Sequence, residues 1–329
     1  MPSLDGERRR LAQLYDIAPS RILSALCTLG IPDHIPAEGI STGKLAATLR
    51  MDSDRLLRLL LAAETLGVVC IEQHTVRVTP AGTLLRSDQP GGLHAEFTDN
   101  SLFAAWTPFA ETLTTGRPSY ELHHGQHVFD RLRHDPDGLE TFHQHMRTRA
   151  MHLYRPLVPF LLDHCTIDVL DLGGGTGGLA ELLLTATTTL KVTLVDRPEV
   201  ISLVPPHLAG QYDARFTAVA GDITEGVPLG GSAYLLGSVL HDWPDETAIK
   251  ILSRCREALS STGVIILLER VLDDGPDPGR LSDMWMMAMT GGKERTRTEW
   301  AGLAEAADLT LRHIHKNQHE LAAVLLTAA

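Results

Sequence analysis

The sequence predicts an α/β protein built on a doubly wound, seven-stranded Rossmann-like sheet, preceded by a mainly helical N-terminal region. In the second half of the chain, short apolar and β-branched runs alternate with segments of helical periodicity. A glycine-rich turn directly follows the first of these runs. The last two runs lie close enough to form a hairpin, which predicts an antiparallel edge on a mainly parallel sheet.

Length and composition limit the class of protein. The 329 residues have room for about two domains, and 43% hydrophobic against 21% charged residues indicates a folded chain. A net charge of −12 argues against general binding to nucleic acid, which requires a basic surface. Met1–Arg10 is polar and no window approaches ~18 consecutive apolar residues, so we expect no signal peptide, no membrane span and a cytoplasmic location.

The four cysteines show neither the Cys-x-x-Cys spacing nor the Cys/His spacing of a zinc site. We expect free thiols in a reducing compartment and predict no bound metal. The cysteines are Cys27, Cys70, Cys165 and Cys255.

Residues 1–91 are predicted to form a winged-helix-like region, because helical patterns are followed by a strand pair around a polar turn. The predicted elements are helices over Ala18–Leu29, Thr42–Leu49 and Asp54–Leu66, and strands over Val68–Ile71 and Thr75–Val78. Folds of this outline commonly bind DNA. The candidate recognition helix, however, is mostly leucine and alanine, and Arg55 and Arg58 are its only basic residues. We therefore predict a homodimer formed by this region, and no DNA binding.

Residues 92–160 are predicted to be a helical linker that contributes to a ligand pocket. Only 5% of the chain is aromatic, yet aromatic residues cluster here. Interior packing accounts for most of them, but their position before the glycine turn predicts that some line an apolar pocket. They are Phe97, Phe103, Trp106, Phe109, Tyr120, Phe129 and Phe142.

Residues 161–329 are predicted to form the sheet. An amphipathic helix, Asp245–Leu259, lies between the fourth and fifth of seven predicted strands. The polar turn Lys316-Asn317-Gln318 joins the last two strands. The strands are Ile167–Leu172, Lys191–Val195, Phe216–Ala220, Ala233–Leu236, Gly263–Leu268, Leu309–His315 and Leu321–Leu326.

The run Asp171–Gly178 is a candidate turn for a nucleotide cofactor. Its glycines let backbone N–H groups approach a ligand closely, with a helix N-terminus behind them. Gly173, Gly175 and Gly178 also match the dinucleotide fingerprint. Asp171, however, is badly placed for a pyrophosphate and well placed for an ammonium group. S-adenosylmethionine (SAM) carries an ammonium and no phosphate, so the turn favours SAM over NAD.

His241 is a candidate general base. It lies in the loop after the fourth strand, Glu269 ends the fifth strand, and Glu294 lies in the glycine-containing loop 291–296. The carboxyl ends of parallel strands share one edge of a sheet, so we expect these residues to meet there. A carboxylate beside histidine fixes the tautomer and stabilises the imidazolium formed on proton capture.

Five motifs in this order carry a family resemblance. They are DLGGGTG, Asp196-Arg197-Pro198, Gly221-Asp222, LHDWPDE and GGKERT. Together they resemble the SAM-dependent O-methyltransferases that include plant phenolic (caffeate and isoflavone) enzymes and bacterial natural-product enzymes. The resemblance covers nearly the whole chain, because a winged-helix-like dimerisation region precedes the methyltransferase sheet in that family too. It implies SAM as cofactor and S-adenosylhomocysteine as product.

The resemblance also implies cofactor contacts, position by position. The glycine turn would hold the methionine part, the acid ending the second strand the ribose hydroxyls, and the acid after the third strand the adenine amine. The implied residues are Asp171, Gly173 and Gly175 at the methionine part, Asp196 with Arg197 at the ribose, Asp222, Ile223 and Trp243 at the adenine, and Gly237 and Ser238 on the fourth strand. Plant members often have lysine at the position of Gly237.

The same resemblance implies the catalytic group and the acceptor wall. His241 corresponds to the catalytic base, with Glu269 and Glu294 as its flanking carboxylates. Plant enzymes often have Asn-Pro where this chain has Met289-Thr290, so the acceptor's hydrogen bonds are not carried over. The predicted acceptor contacts are Trp106, Phe142, Met146, Trp285, Met286 and Met289.

The sequence therefore predicts methyl transfer from SAM to a hydroxyl, phenolic in type, of a small aromatic natural product of secondary metabolism such as antibiotic biosynthesis. A nicotinamide dehydrogenase gives the LHDWPDE and GGKERT loops no role, and a DNA-binding regulator is favoured only by the winged-helix outline. A relative with other SAM-dependent chemistry, such as hydroxylation or decarboxylation, or an N-methyltransferase, stays an alternative. The intact set of His241, Glu269 and Glu294 favours O-methyl transfer.

Overall fold

The computed structural model describes residues 4–89, 91–316 and 320–329. The chain divides into two compact units, Met1–Asn100 and Ser101–Ala329. Within the described residues, no helix is both long enough and apolar enough to cross a lipid bilayer.

The first unit is mainly helical with a small antiparallel sheet in the strand order β1-β3-β2. Asp52 caps the N-terminus of the helix Ser53–Thr65, because its side chain accepts a hydrogen bond from the Arg55 N–H at 3.0 Å. The helices and strands are α1 (Leu4–Tyr15), α2 (Ala18–Thr28), β1 (Ile40–Ser41), α3 (Thr42–Leu49), α4 (Ser53–Thr65), β2 (Val69–Glu72), β3 (Thr75–Val78), α5 (Pro80–Thr83) and α6 (His94–Thr98).

The core of the first unit lies between these helices and the hairpin. Helix α4 buries one face, formed by Leu56, Leu60 and Ala63, whereas Leu61 is exposed. The predicted helices and hairpin strands are present within one or two residues of their expected ends. Helix α1 and strand β1 were not predicted, because α1 is a polar segment and β1 has only two residues.

The second unit begins with helices, followed by alternating strands and helices. Its helical part contains α7 (Asn100–Ala105), α8 (Phe109–Thr115), α9 (Ser119–His124), α10 (Val128–Arg133), α11 (Pro136–Tyr154) and α12 (Val158–His164). The remainder contains β4 (Asp168–Leu172), α13 (Gly178–Ala186), β5 (Lys191–Asp196), α14 (Pro198–Ile201), α15 (Pro206–Tyr212), β6 (Phe216–Ala220), β7 (Ala233–Gly237), α16 (Asp245–Ala258), β8 (Val264–Glu269), β9 (Val271–Leu272), α17 (Gly279–Met289), β10 (Arg295–Thr296), α18 (Arg297–Ala306), β11 (Leu309–Lys316) and β12 (Ala322–Ala328).

The large sheet has seven strands in the order β11-β12-β8-β7-β4-β5-β6. Strands β4 to β8 pair in parallel, while β12 is antiparallel to both β8 and β11. This arrangement confirms the predicted doubly wound sheet with an antiparallel edge. Of the predicted turn between the last strands, Asn317 and Gln318 lie outside the described residues, and Lys316 ends β11.

Both faces of the large sheet are buried, as parallel strands require. One apolar cluster contains Leu183 and Leu194, and the other contains Tyr234 and Trp300. The strand order changes direction beside β4, because β5 lies on one side of it and β7 on the other. Ligands of open α/β sheets bind at the carboxyl ends of strands at such a point.

Helix α11 is held close to that edge. It starts at Pro136 after Asp135, whose Oδ1 accepts a hydrogen bond from the Gly138 N–H at 3.0 Å. A Cβ atom at Gly178 would lie 3.0 Å from the Arg147 carbonyl oxygen, so the backbones of α11 and α13 pack against each other directly. Because of this close packing, the residues on one face of α11 lie beside the glycine turn.

Candidate active site

The glycine turn after β4 uses backbone conformations that favour glycine. Gly173, Gly175 and Gly177 have φ angles of 66°, 60° and 84°. A Cβ atom at Gly173 would lie 2.9 Å from Val239 Cγ2, whereas the nearest atom to one at Gly175 would be His143 Nδ1 at 3.5 Å. The turn is therefore tightly packed at Gly173 and has more space at Gly175.

Asp171 is a buried carboxyl next to this turn. Its side chain is 1% exposed, and Oδ2 has no hydrogen-bond partner among the residues that the structure describes. Burial, with a smaller contribution from the charge of Asp196, raises the pKa of Asp171 to about 7. The carboxyl accepts a backbone hydrogen bond from Ala180, but leaving Oδ2 buried without a partner is costly, and a cationic group of a ligand would offset that cost.

Asp196 joins the end of β5 to the glycine turn. Its Oδ2 accepts a hydrogen bond from the Gly175 N–H at 2.8 Å, and its Oδ1 accepts one from the Arg197 N–H at 2.7 Å. Burial raises the pKa of Asp196, although both backbone hydrogen bonds oppose this shift. The Arg197 guanidinium lies over the Phe129 ring, 5.5 Å from its centre.

Asp222 and Ile223 follow β6 at the same edge of the sheet. Asp222 Oδ1 accepts hydrogen bonds from the Thr224 N–H at 2.8 Å and from its hydroxyl at 2.6 Å. Burial alone would raise the pKa of Asp222, but these hydrogen bonds, together with the charges of Arg197 and Arg133, outweigh it and lower the pKa. Ile223 is buried in the apolar cluster on one face of the sheet, beside Val239.

Gly237 ends β7 against the ring of Tyr154. A Cβ atom at Gly237 would lie 2.9 Å from both Cζ and Oη of Tyr154, so a side chain there would collide with the ring. The Tyr154 hydroxyl donates a hydrogen bond to Ser238 Oγ at 3.0 Å. Ser238 has a φ of 51°, which is uncommon for a residue other than glycine. The sequence did not indicate Tyr154, which ends α11 far away in the chain.

The structure brings the three predicted catalytic residues together. His241 lies in the short 3-10 turn Leu240–Asp242 after β7. Its Nδ1 is 3.4 Å from Glu294 Oε1 and 3.7 Å from Glu269 Oε2, while its Nε2 is 3.9 Å from Asp242 Oδ1. Since Nδ1 faces the two glutamates, Nε2 is the nitrogen that can exchange a proton with a ligand.

Both glutamates are fixed by further hydrogen bonds. Glu269 Oε1 accepts from the N–H groups of Val239 at 3.1 Å and Leu240 at 2.8 Å, which ties it to the loop carrying the histidine. Glu294 Oε1 accepts from the Ser282 hydroxyl at 2.8 Å. Glu269 is fully buried and Glu294 is 2% exposed, so both carboxylates are shielded from water.

The charges of this cluster change the pKa of His241. Burial alone would lower it, but the carboxylates of Glu269, Asp242 and Glu294 outweigh burial and raise the pKa of His241 to about 10. Burial raises the pKa of Glu269 to about 7, against the effect of the imidazolium. Burial also acts to raise the pKa of Glu294, but its hydrogen bond and attraction to His241 lower it. The histidine is therefore a stronger base than a free imidazole.

One donor atom from each of His241, Glu269 and Glu294 lies within 4.8 Å of the others, a spacing that a cation could also use. Three of the hydrogen bonds described above already engage Oε1 of each glutamate, two on Glu269 and one on Glu294. These bonds orient the carboxylates towards the imidazole.

Among the residues predicted to contact the acceptor, Trp106 lies close to Trp285 and packs against the cluster that contains Met289. The rings of Trp106 and Trp285 are 5.5 Å apart, and Trp285 is 38% exposed. Met289 is buried in an apolar cluster against which Trp106 packs. Phe142 and Met146 lie four residues apart on α11, and Met286 lies on α17. Of these six residues, only Met289 is fully buried; the other five are partly buried or exposed.

Trp243 directly follows the short turn that carries His241. Its ring is partly buried against the sheet and lies 6.4 Å from the Phe129 ring. Since Phe129 also contacts Arg197, one ring from α10 connects the ends of β5 and β7. The sequence placed Phe129 only in a general aromatic cluster.

His143 and Arg147 were missed by sequence reasoning. Burial is the main cause that lowers the pKa of His143 to about 4, so the imidazole beside Gly175 is neutral. Arg147 donates hydrogen bonds to the Thr176 carbonyl and to Glu181. His143 and Arg147 are four residues apart, which puts both on one face of α11. Each directly follows a predicted acceptor residue, Phe142 or Met146, and this shared spacing could have indicated them from the sequence.

A family model of the O-methyltransferase domain matches residues 106–309. The chain is 31% identical over 312 residues to a 2,7-dihydroxy-5-methyl-1-naphthoate 7-O-methyltransferase of Streptomyces carzinostaticus, and the match covers 93% of each protein. It is also 29% identical over 328 residues to an 8-amino-8-demethylriboflavin N,N-dimethyltransferase of Streptomyces davaonensis, covering 95% of this chain and 94% of that protein.

Solved structures resemble the chain over nearly its full length. An O-methyltransferase from neocarzinostatin biosynthesis, in complex with SAM and 2-hydroxy-5-methyl naphthoic acid, matches with a TM-score of 0.83 and 30% identity. That match covers 96% of this chain and 98% of the other chain.

Proposed function

We propose that this chain, which belongs to the O-methyltransferase family and uses SAM as its methyl donor, transfers the methyl group to a phenolic hydroxyl of a small aromatic compound. The observation that carries the proposal is His241, held by two buried glutamates at the carboxyl end of the sheet. When bound, SAM supplies an electrophilic methyl group, and S-adenosylhomocysteine is the product.

The residues around the glycine turn fit this cofactor. We assign the SAM ammonium to Asp171, because its buried Oδ2 has no partner among the described residues. We assign the ribose hydroxyls to Asp196 and Arg197 at the end of β5, and the adenine to Asp222, Ile223 and Trp243. Gly173, Gly175, Gly237 and Ser238 line the same edge with backbone or small groups.

In this mechanism His241 Nε2 accepts the proton of the acceptor hydroxyl. A phenol has an ordinary pKa of about 10, so it is mostly protonated near neutrality and needs a base. Glu269 and Glu294 stabilise the imidazolium that forms, because their carboxylates face Nδ1. The apolar wall formed by Trp106, Phe142, Met146, Trp285, Met286 and Met289 would hold an aromatic ring and exclude water.

The function is tested with radiolabelled SAM and a panel of hydroxylated naphthoates, other phenols and aromatic amines. We expect label on a phenolic oxygen. Calorimetric titration should show binding of SAM or S-adenosylhomocysteine, with no competition from NAD. Label on nitrogen alone would contradict the proposal and favour N-methyl transfer, the reaction named for the relative from Streptomyces davaonensis.

We expect the reaction to become faster as the pH rises above neutrality. His241 must lose its proton before it can act as a base, and neighbouring carboxylates raise its pKa from 6.5 to about 10. The ratio kcat/KM for the acceptor, measured at saturating SAM, should therefore rise between pH 6.5 and a pH of about 10. Glu294→Gln should move the rise to lower pH, because it removes one of the charges that raise the pKa. A wild-type rise centred at or below 6.5 would contradict this assignment.

We expect chelation to leave turnover unchanged, because the proposed reaction needs a base and no Lewis acid. The measurement is initial rate after prolonged dialysis against EDTA, with and without added Mg²⁺ or Zn²⁺. Loss of activity that a single cation restores would assign the cluster of His241, Glu269 and Glu294 to metal binding instead.

The proposed domain arrangement is a dimerisation region over residues 1–91, a helical pocket region over 92–160 and a catalytic region over 161–329. Support for dimerisation comes from α1, in which no residue is buried. Leu4 and Tyr15 are each 88% exposed and Leu14 is 73% exposed. Apolar surface of this kind marks a protein interface, and a second copy of the chain is the proposed occupant.

Leu11→Lys combined with Leu14→Lys should convert the proposed dimer into a monomer. The two added charges would lie in the apolar face of α1, where burying them against a second copy is unfavourable. Light scattering should give twice the chain mass for the wild type and one chain mass for the variant. The control is Arg8→Lys combined with Arg9→Lys, which changes α1 without changing its charge. A monomeric wild-type protein would refute the prediction.

A further inference from the structure

We infer that Arg295 is a positioning residue, which holds the loop carrying His241 in register with the segment carrying Glu294. This inference rests on the proposed function of His241 as the base. The polar partners of the Arg295 side chain are Asp245 and the backbone carbonyls of Leu240, Trp243 and Lys293, so it acts on His241 and Glu294 through the backbone beside them.

The guanidinium of Arg295 is fully buried and uses every one of its N–H groups. Nε and Nη2 donate to Asp245 Oδ1 at 2.9 and 2.7 Å. Nη1 donates to the carbonyls of Leu240 at 3.0 Å and Lys293 at 3.1 Å, and Nη2 donates to the Trp243 carbonyl at 2.8 Å. The five donors of an arginine are therefore all engaged. A lysine, with three donors on one atom, cannot replace this pattern.

These contacts enclose the base. Leu240 and Trp243 lie on either side of His241 and Asp242, so Arg295 binds the carbonyls at both ends of the turn that presents the imidazole. Asp245 is the first residue of α16, and its carboxylate forms an ion pair with the guanidinium. The Arg295 side chain therefore holds both ends of the turn that carries His241.

The residues before Arg295 contact the same turn in succession. A Cβ atom at Gly292 would overlap the His241 carbonyl oxygen, so the two backbones touch. The Lys293 N–H donates to that oxygen at 2.8 Å. Glu294 Oε1 lies 3.4 Å from His241 Nδ1. Arg295 then donates to the carbonyls of Leu240 and Trp243. Four consecutive residues of the GGKERT motif therefore bind one turn.

The backbone of Arg295 is also tied to the strand that follows Glu269. In the short pair β9–β10, Arg295 is in register with Val271, two residues after Glu269. The Arg295 guanidinium lies over the Trp300 ring, 5.2 Å from its centre. One residue thus links three segments, which carry His241, Glu294 and Glu269. Loosening it should move the imidazole relative to both glutamates.

The test uses Arg295→Lys, which keeps the positive charge and removes the carbonyl bonds. The control is Arg215→Lys. Arg215 also donates to two carbonyls, of Thr187 at 2.8 Å and Leu184 at 3.3 Å, and lies over an aromatic ring, that of Tyr212. It directly precedes β6, at the amino ends of the strands and away from the base. The two variants therefore lose similar interactions in different places.

The first readout is the titration of His241, followed by NMR of histidine-labelled protein. The groups facing it are Glu269 and Asp242, together with Glu294, whose Oε1 lies 3.9 Å from Arg270 Nε. In Arg295→Lys the imidazole should move away from the glutamates. The pKa of His241 should then fall from about 10 towards 6.5. Arg215→Lys should leave the titration in place, although both variants lose thermal stability.

The second readout is the kinetic constants. We expect Arg295→Lys to lower kcat on the order of 10²-fold, the cost of a displacement near 1 Å, with SAM affinity unchanged. If the variant does not fold, Asp245→Asn, which keeps the carbonyl bonds, should give a smaller shift in the same direction. Equal His241 titration in both arginine variants, or in Asp245→Asn and wild type, would overturn the inference. A wild-type chain that transfers no methyl group would contradict only the proposed function, because the titration remains measurable.

Discussion

Replacing His241 with glutamine should lower kcat by about 10²–10⁴-fold, the usual contribution of a positioned general base. Glutamine fills a similar space and can donate to Glu294, but it cannot accept and hold the proton of a phenol. The affinity for SAM should not change, because Nε2 is assigned to the acceptor's proton. Steady-state kinetics with a phenolic acceptor, and calorimetry with S-adenosylhomocysteine, measure the two effects separately.

The control for this variant is His164→Gln. His164 ends α12, and its Nδ1 lies 2.8 Å from the Phe160 carbonyl oxygen, so it is also a hydrogen-bonded histidine of the second unit. Its replacement should leave kcat within about twofold, because His164 precedes the amino end of β4, whereas His241 follows the carboxyl end of β7. Near-wild-type turnover in His241→Gln would show that alignment alone carries catalysis, with an acceptor that is already ionised.

Asp196→Ala should weaken binding of S-adenosylhomocysteine by about 10- to 100-fold, since each hydrogen bond to a charged group contributes about 1.5–3 kcal/mol. The carboxylate also binds the Gly175 N–H, so the variant loosens the turn as well as removing the proposed ribose contact. Asp196→Asn keeps an acceptor for that N–H and should lose less affinity. An unchanged Kd in the alanine variant would place the ribose elsewhere.

Exposed Asp168 provides the matched control, because it lies at the other end of the neighbouring strand β4. Asp168→Ala removes a carboxylate of the same sheet without touching the glycine turn, so its Kd should equal that of the wild type. Since both variants lower the negative charge by one, a general electrostatic effect would appear in both.

The sheet could be predicted from the sequence because its signal is local. Buried parallel strands require apolar runs, and β6 and β5 begin where the β-branched runs begin, at Phe216 and Lys191. The family and its cofactor were predicted correctly from motifs in fixed order. Helix α1 carries no such signal, since none of its side chains enters the core.

The candidate site was predictable only where a residue belonged to a motif at a strand end. His241 and Glu269 meet because β7 and β8 end at one edge of the sheet, and Glu294 reaches them from the loop after α17. The role of Arg295 could not be predicted, because its partners are mostly backbone carbonyl oxygens. Every residue type has such an oxygen, so the sequence does not indicate which residues are bound. Tyr154 was missed for a related reason, because its contact is with a glycine 83 positions later, which has no side chain to suggest it.

The contact between Gly237 and Tyr154 has an evolutionary consequence. The lysine that plant relatives often have at this position would displace the Tyr154 ring, because its Cβ would lie 2.9 Å from Cζ and Oη of that tyrosine. Positions 154 and 237 should therefore covary among descendants of this sequence, with a large aromatic residue at 154 accompanied by glycine at 237. A designer who wants the lysine would first have to shorten residue 154, and would then lose the hydroxyl that holds Ser238.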